Sequence, residues 1–178
     1  MLLSMIFCLT AIPVIGQIRA PSYVPDSPYK HSISAGPSIG AFTHRDAYFW
    51  GVSVGYAYKL NGPWAISPSL AYDQEIEQQN DQTNKIDTYT FLATVSYFIT
   101  PKWSLTTGLA KGFADDDNQT RQLDFVDGDV STGISVGYSL PDFPFWTRES
   151  FSISGAYEYN ITKNEFSVSL DLVIGLSW

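Results

Sequence analysis

The last fourteen residues restrict the fold more than any other part of the chain. Between Glu165 and Trp178 every even position is apolar: Phe166, Val168, Leu170, Leu172, Ile174, Leu176 and Trp178. The odd positions are Glu165, Ser167, Ser169, Asp171, Val173, Gly175 and Ser177, polar or small except Val173. A strand sends alternate side chains to opposite faces, so this segment has one oily and one wet face along its whole length. Strands of soluble domains average ~5–6 residues, whereas a tilted strand needs about 9–11 to cross a bilayer. The pattern is that of a membrane-crossing strand.

Composition supports that reading. Charged residues are 16% and aromatics 15% of the 178 positions, against a usual charged share of about 25%. Mean hydropathy is −0.05. Beyond the N-terminus no run approaches the ~20 apolar residues of a spanning helix. A transmembrane β-barrel fits both facts, because only alternate residues face lipid. The formal charge of −8 argues against nucleic acid, which binds basic surfaces.

Met1 to Gly16 is short and apolar, with Val14 and Gly16 small enough for a signal-peptidase site, although no Lys or Arg precedes it. It reads as a secretory signal peptide. The single cysteine, Cys8, lies inside it, so a cleaved chain has neither disulfide nor thiol chemistry. Residues 17–30 hold Pro21, Pro25 and Pro28 and read as an extended periplasmic linker. The barrel itself is expected over residues 31–178. Its alternating segments are His31–Phe42, Ala47–Leu60, Trp64–Asp73, Thr88–Ile99, Trp103–Phe113, Val130–Leu140, Thr147–Tyr159 and Glu165–Trp178. Pro37 lacks a ladder donor and predicts a bulge in the first.

Eight segments predict an all-β, eight-stranded antiparallel up-and-down barrel. Asn61-Gly62-Pro63, Thr100-Pro101-Lys102 and Pro141–Trp146 read as turns at one end. At the other end the polar stretches Gln74–Asp87 and Ala114–Asp129 read as long loops. This asymmetry is typical of outer-membrane barrels. Two aromatic rings are expected at the membrane interfaces: Tyr58, Trp64, Tyr97, Trp103, Tyr138 and Trp178 at the turn end, and Trp50, Tyr72, Tyr89 and Tyr157 at the loop end. In lipid no sheet edge can stay unpaired, so the last strand must pair with the first.

On these features, residues Lys30 to Trp178 resemble the small eight-stranded outer-membrane barrels of Gram-negative bacteria, of the OmpA/OmpX and opacity-protein type. The resemblance implies residence in the outer membrane, contact with its lipid, and a C-terminal strand read by the barrel-assembly machinery. Trp178 stands there where Phe is commoner. The resemblance is architectural and carries no catalytic residues onto this chain.

The inner face is expected to be small and polar, with Lys59, Asp73, Glu158 and Asp171 as its candidate lumen charges and Phe98 among its larger groups. An eight-stranded barrel is just wide enough for side chains to fill. A hydrated, plugged interior and a narrow path for water or small solutes both remain open. Asp115, Asp116, Asp117, Asn118, Asp124, Asp127 and Asp129 have the oxygen chemistry that suits Ca²⁺, but the spacing is not an EF-hand, and a solvated loop is the simpler reading. His31 and His44 are the available bases for a lipid-modifying site, with Ser32 beside His31; no diagnostic spacing supports one. The leading expectation is a non-enzymatic barrel with no cofactor or metal. It would act structurally or through an outer-membrane protein partner, as an accessory subunit of a larger assembly.

Overall fold

A computed structural model describes residues 28–79, 82–115 and 128–178. The expected signal peptide, most of the proline-rich linker and the middle of the acidic loop lie outside these residues. Among the described residues there are eight strands and no helix: β1 (His31–Phe42), β2 (Ala47–Lys59), β3 (Trp64–Gln79), β4 (Gln82–Phe98), β5 (Trp103–Asp115), β6 (Asp129–Ser139), β7 (Glu149–Asn160) and β8 (Glu165–Ser177). Each strand pairs antiparallel with the next, and β8 pairs with β1 to close the barrel.

The alternation read from sequence becomes an inside-out protein. Ile39, Leu70, Leu109, Leu170 and Ile174 are exposed on the outer face. The inner positions of β6 are Ser131, Gly133, Ser135, Gly137 and Ser139, of which Ser131, Gly137 and Ser139 are buried. Such an exterior is stable only if lipid covers it, because soluble monomers rarely expose apolar patches beyond a few hundred Å². The outward Thr107 and Thr132 still satisfy their hydroxyls: Thr107 donates to Gly133 O at 2.9 Å and Thr132 to Gly108 O at 3.0 Å.

Two of the sequence expectations are corrected. First, β3 and β4 do not stop at Asp73 and Thr88. Their ladder continues without interruption to Gln79↔Gln82, so most of the expected Gln74–Asp87 loop is a protruding hairpin. Beyond the membrane both faces of a strand are wet, so the apolar period disappears while the backbone ladder persists.

Second, Pro37 makes no bulge. The β1–β8 register runs from Ser32↔Ser177 to Phe42↔Ser167 without insertion, but no pair joins Gly36 or Pro37 to Val173 or Leu172. The flanking backbone bonds His31–Trp178 and Thr43–Phe166 set the parity of this ladder. They make Pro37–Leu172 a position where the missing proline N–H would have met the Leu172 carbonyl. That carbonyl lies against Gly36 instead: a Cβ built there would be 1.7 Å from Leu172 O. Glycine precedes the proline because backbone occupies the space of its side chain. Pro68 interrupts the β2–β3 ladder likewise, between Gly55↔Ser69 and Tyr58↔Ile66.

Gly36→Ala is therefore expected to force β1 and β8 apart and to cost about 1–3 kcal/mol. The urea midpoint of the detergent-folded barrel checks this; an unchanged midpoint would show that the seam absorbs a methyl group.

Candidate functional site: the two mouths of the lumen

The turn-end mouth is filled by aromatic side chains. The β6–β7 connection runs from Leu140 to Arg148 and folds inward. Trp146 is 8% exposed and packs with Phe98 of β4 and Ala65 of β3, with Ala57 and Phe145 alongside. The Phe98 ring lies 5.3 Å from Phe145 and 5.8 Å from Trp146, both nearly edge-on, a favourable geometry. Phe145 N–H donates to Pro101 O at 3.2 Å, and the Phe145 ring passes over Gly137 on the inner face of β6. In the closed strand order β6 and β7 lie across the barrel from β2 and β3, so this connection crosses the mouth. Ser139, fully buried beneath it, donates to the Phe143 carbonyl. From sequence Pro141–Trp146 reads as a turn with aromatic content, three rings in the four residues Phe143-Pro144-Phe145-Trp146 where turn residues are usually polar; that the rings enter the barrel is seen only in the fold.

At the loop end the inner face carries an ionic cluster. Arg45, in the β1–β2 connection, pairs with Glu75 of β3, lies 3.3 Å from Glu165 of β8 and 4.0 Å from Glu77 of β3. Its guanidinium carbon sits 3.8 Å from the Phe42 ring centre, a cation–π contact. Burial works to lower the Arg45 pKa, but the hydrogen bond from Arg45 to Glu75 and the charges of Glu75, Glu165 and Glu77 raise it above its ordinary value. The cation is permanent at physiological pH. Lys163 and Asp129 form a second ion pair at 2.7 Å. A cavity of about 150 Å³ lies within this mouth, lined by both ion pairs, Phe42, Phe49, Asp73 and Glu158. Arg45 was not singled out from sequence, because a lone cation in His44-Arg45-Asp46 looks like any solvated turn.

The four expected lumen charges lie on the inner face but do not form one group. Asp73 faces Gly51, where a Cβ would lie 1.9 Å from Asp73 Oδ1, so glycine makes room for the carboxylate. Ser38 donates to Asp73 Oδ1 at 3.5 Å, and the register sets the same Ser38 opposite Asp171. Ser154 donates to Asp171 Oδ2 at 3.2 Å, and Ser131 donates to Glu158. Serines thus supply the donors that carboxylates need away from bulk water. Lys59 stands apart. It is eight positions along β2 from Gly51, about 26 Å of strand, and lies opposite Ala65 near the turn end. Among the described residues no group of His, Cys, Asp and Glu has the arrangement of a metal site.

The two histidines are at opposite ends. His31 shares a 2.6 Å hydrogen bond with the Tyr56 hydroxyl and stacks on Trp178 at 6.1 Å. His44 meets Phe166 edge-on at 6.1 Å. They cannot serve one reaction centre together.

The expected interface aromatics form cross-strand clusters. At the turn end Trp64 meets Tyr97 at 4.8 Å, Trp103 meets Tyr138 at 4.7 Å, and His31 joins Tyr58 to Trp178. At the loop end Trp50, Tyr72 and Tyr89 run side by side, and Tyr157 stacks on Phe166. Trp50 and Tyr58, Trp64 and Tyr72, and Tyr89 and Tyr97 are each eight residues apart, about 26 Å of strand. That matches the apolar band of about 25 Å of a membrane barrel.

Two expectations follow. Arg45→Ala leaves Glu75, 8% exposed, without its cation; the expected loss is about 1–3 kcal/mol by urea titration, with Arg45→Lys intermediate. In lipid vesicles, interfacial quenchers are expected to reach Trp50, Trp64, Trp103 and Trp178 while aqueous iodide spares Trp146. Iodide quenching of a chain whose only tryptophan is Trp146, as strong as for free indole, would contradict the packed turn.

No protein-family model matches the sequence, and no curated protein does. Solved structures do. Neisserial surface protein A is 14% identical, with a TM-score of 0.58, over 84% of this chain and 97% of that one. The Yersinia pestis outer membrane protein Ail in a phospholipid nanodisc is 18% identical, with a TM-score of 0.57, over 84% and 99%. The N-terminal β-barrel domain of Pseudomonas aeruginosa OprF is 16% identical, with a TM-score of 0.51, over 83% and 99%. With its closed eight-strand order and its apolar exterior, the chain has the fold of the small outer-membrane β-barrels.

Proposed function

We infer that this chain is a non-enzymatic barrel of the Gram-negative outer membrane that works through the surface it raises above the loop-end girdle. The single observation behind this reading is the β3–β4 hairpin. From Asp73 to Gln79 and from Gln82 to Thr88 it continues seven residues per strand past Tyr72 and Tyr89, about 20 Å of paired backbone. A paired hairpin is a rigid platform, and contact surfaces on rigid elements are more precise than those on loops. Its base carries Glu77 and Asp87, in a chain of net charge −8, so the fitting partner is a protein with a basic patch. A larger outer-membrane protein with such a patch would make this chain its accessory subunit.

The aromatic packing in the turn-end mouth favours this reading over a channel, and the separation of His31 from His44 favours it over a lipid-modifying enzyme. Extraction in mild detergent, native electrophoresis and mass spectrometry of the band test it. The expected result is co-migration with a second outer-membrane protein, lost when Glu77 and Asp87 are replaced by Lys. Reproducible single-channel conductance of the unaltered chain in a planar bilayer would replace it with the channel reading.

A further inference from the structure

The β6–β7 connection has three properties that an ordinary periplasmic turn does not need together. It places large rings inside the barrel mouth, where Trp146 contacts Phe98 and Ala65 on the opposite wall. It holds Trp146 in the left-handed region, at φ 61°, where a bulky non-glycine residue is rare and persists only if its surroundings enforce it. And its tip belongs to no strand: its ends are anchored by the Ser139 hydroxyl and Phe151 N–H on Phe143 O and by Ser177 N–H on Arg148 O, whereas Pro144 to Thr147 carry the turn bond of Thr147 Oγ1 to Pro144 O at 2.8 Å and the Phe145–Pro101 bond to the next turn. The ladder of Ser139↔Ser152 and Glu149↔Leu176 is complete without it. The ring-bearing tip, Phe145 and Trp146, lies outside every strand pair.

We propose that this connection is a displaceable plug, centred on Trp146, that controls entry of water-borne cations into the lumen from the turn end. Behind it the inner wall carries Asp73, Asp171 and Glu158, held by Ser38, Ser154 and Ser131. Lys59 stands on the inner face near the plugged mouth. On the inner wall a solute that has passed the plug meets Lys59 first and three carboxylates beyond it, so positive solutes are favoured over negative ones there. This rests on the reading of the resting barrel as closed, but its test is independent of any partner.

The test is thiol access in the full chain, folded in detergent micelles, with Cys8→Ser removing the native cysteine. Ser135→Cys places one thiol on the inner wall of β6, opposite Ala156 and Thr106. A permanently cationic and an anionic methanethiosulfonate of similar size are the probes. With the plug intact, labelling by both is expected to be slow. Trp146→Ala is expected to raise the cationic rate at least tenfold and the anionic rate less. Retained resistance of the unheated barrel to SDS reports that the variant is folded, and Phe98→Leu, which thins the same contact from the β4 side, is expected to act in the same direction. Equal rates with and without Trp146 or Phe98, or fast labelling with both present, would overturn the proposal. A partner lost without a change in labelling would overturn only the function proposed above.

Discussion

Every backbone N–H and C=O inside a bilayer must find its partner within the protein, because hydrocarbon offers none. The rest of this structure follows from that constraint. It forces β8 back onto β1, since either strand left as an edge would expose a row of unpaired groups. It also explains the local chemistry wherever the ladder falters. At Pro37 the donor is absent, and the Leu172 carbonyl settles against Gly36 rather than facing lipid across a gap. On the outer face of β5 and β6, Thr107 and Thr132 turn their hydroxyls onto backbone carbonyls, so a polar residue is tolerated where lipid would otherwise reject it.

Closure then decides the interior. Alternation directs the small residues inward, and a wall of serine, glycine and alanine cannot fill even an eight-stranded lumen by itself. The remaining space is narrowed from the two ends, by different chemistry at each. At the turn end Phe98, Phe145 and Trp146 meet ring edge to ring face in a small apolar cluster. At the loop end Arg45 is surrounded by Glu75, Glu77 and Glu165, drawing β1, β3 and β8 together near water, where ions lose less hydration than they would at mid-membrane. The inner wall keeps its three carboxylates because each has a serine donor, Ser154 and Ser131 from adjoining strands and Ser38 from across β2.

Legibility in the sequence followed the solvent. Within the bilayer one face of each strand must be apolar, so periodicity marked β1, β2 and β5–β8 to within a few residues. Above the bilayer that requirement lapses, which is why the upper parts of β3 and β4 read as a loop although their ladder is unbroken. Inward parity was equally readable, yet it could not say which inward residues meet. Lys59 and Asp73 share a face but sit near opposite ends. Arg45 and Trp146, the central residues of the two mouth clusters, carry no period at all, because connections have none.

The sequence by itself determined the number of strands, their alternation, the polarity of the exterior and the need for closure, because these depend on each residue's own solvent and its nearest neighbours in the chain. Only the tertiary structure decided what fills the lumen. Arg45 reaches Glu165, and Trp146 reaches Ala65, only after the sheet has curled on itself and brought distant segments to one mouth. Their contacts are set by the closed register, a property of all eight strands together that no single stretch of sequence contains.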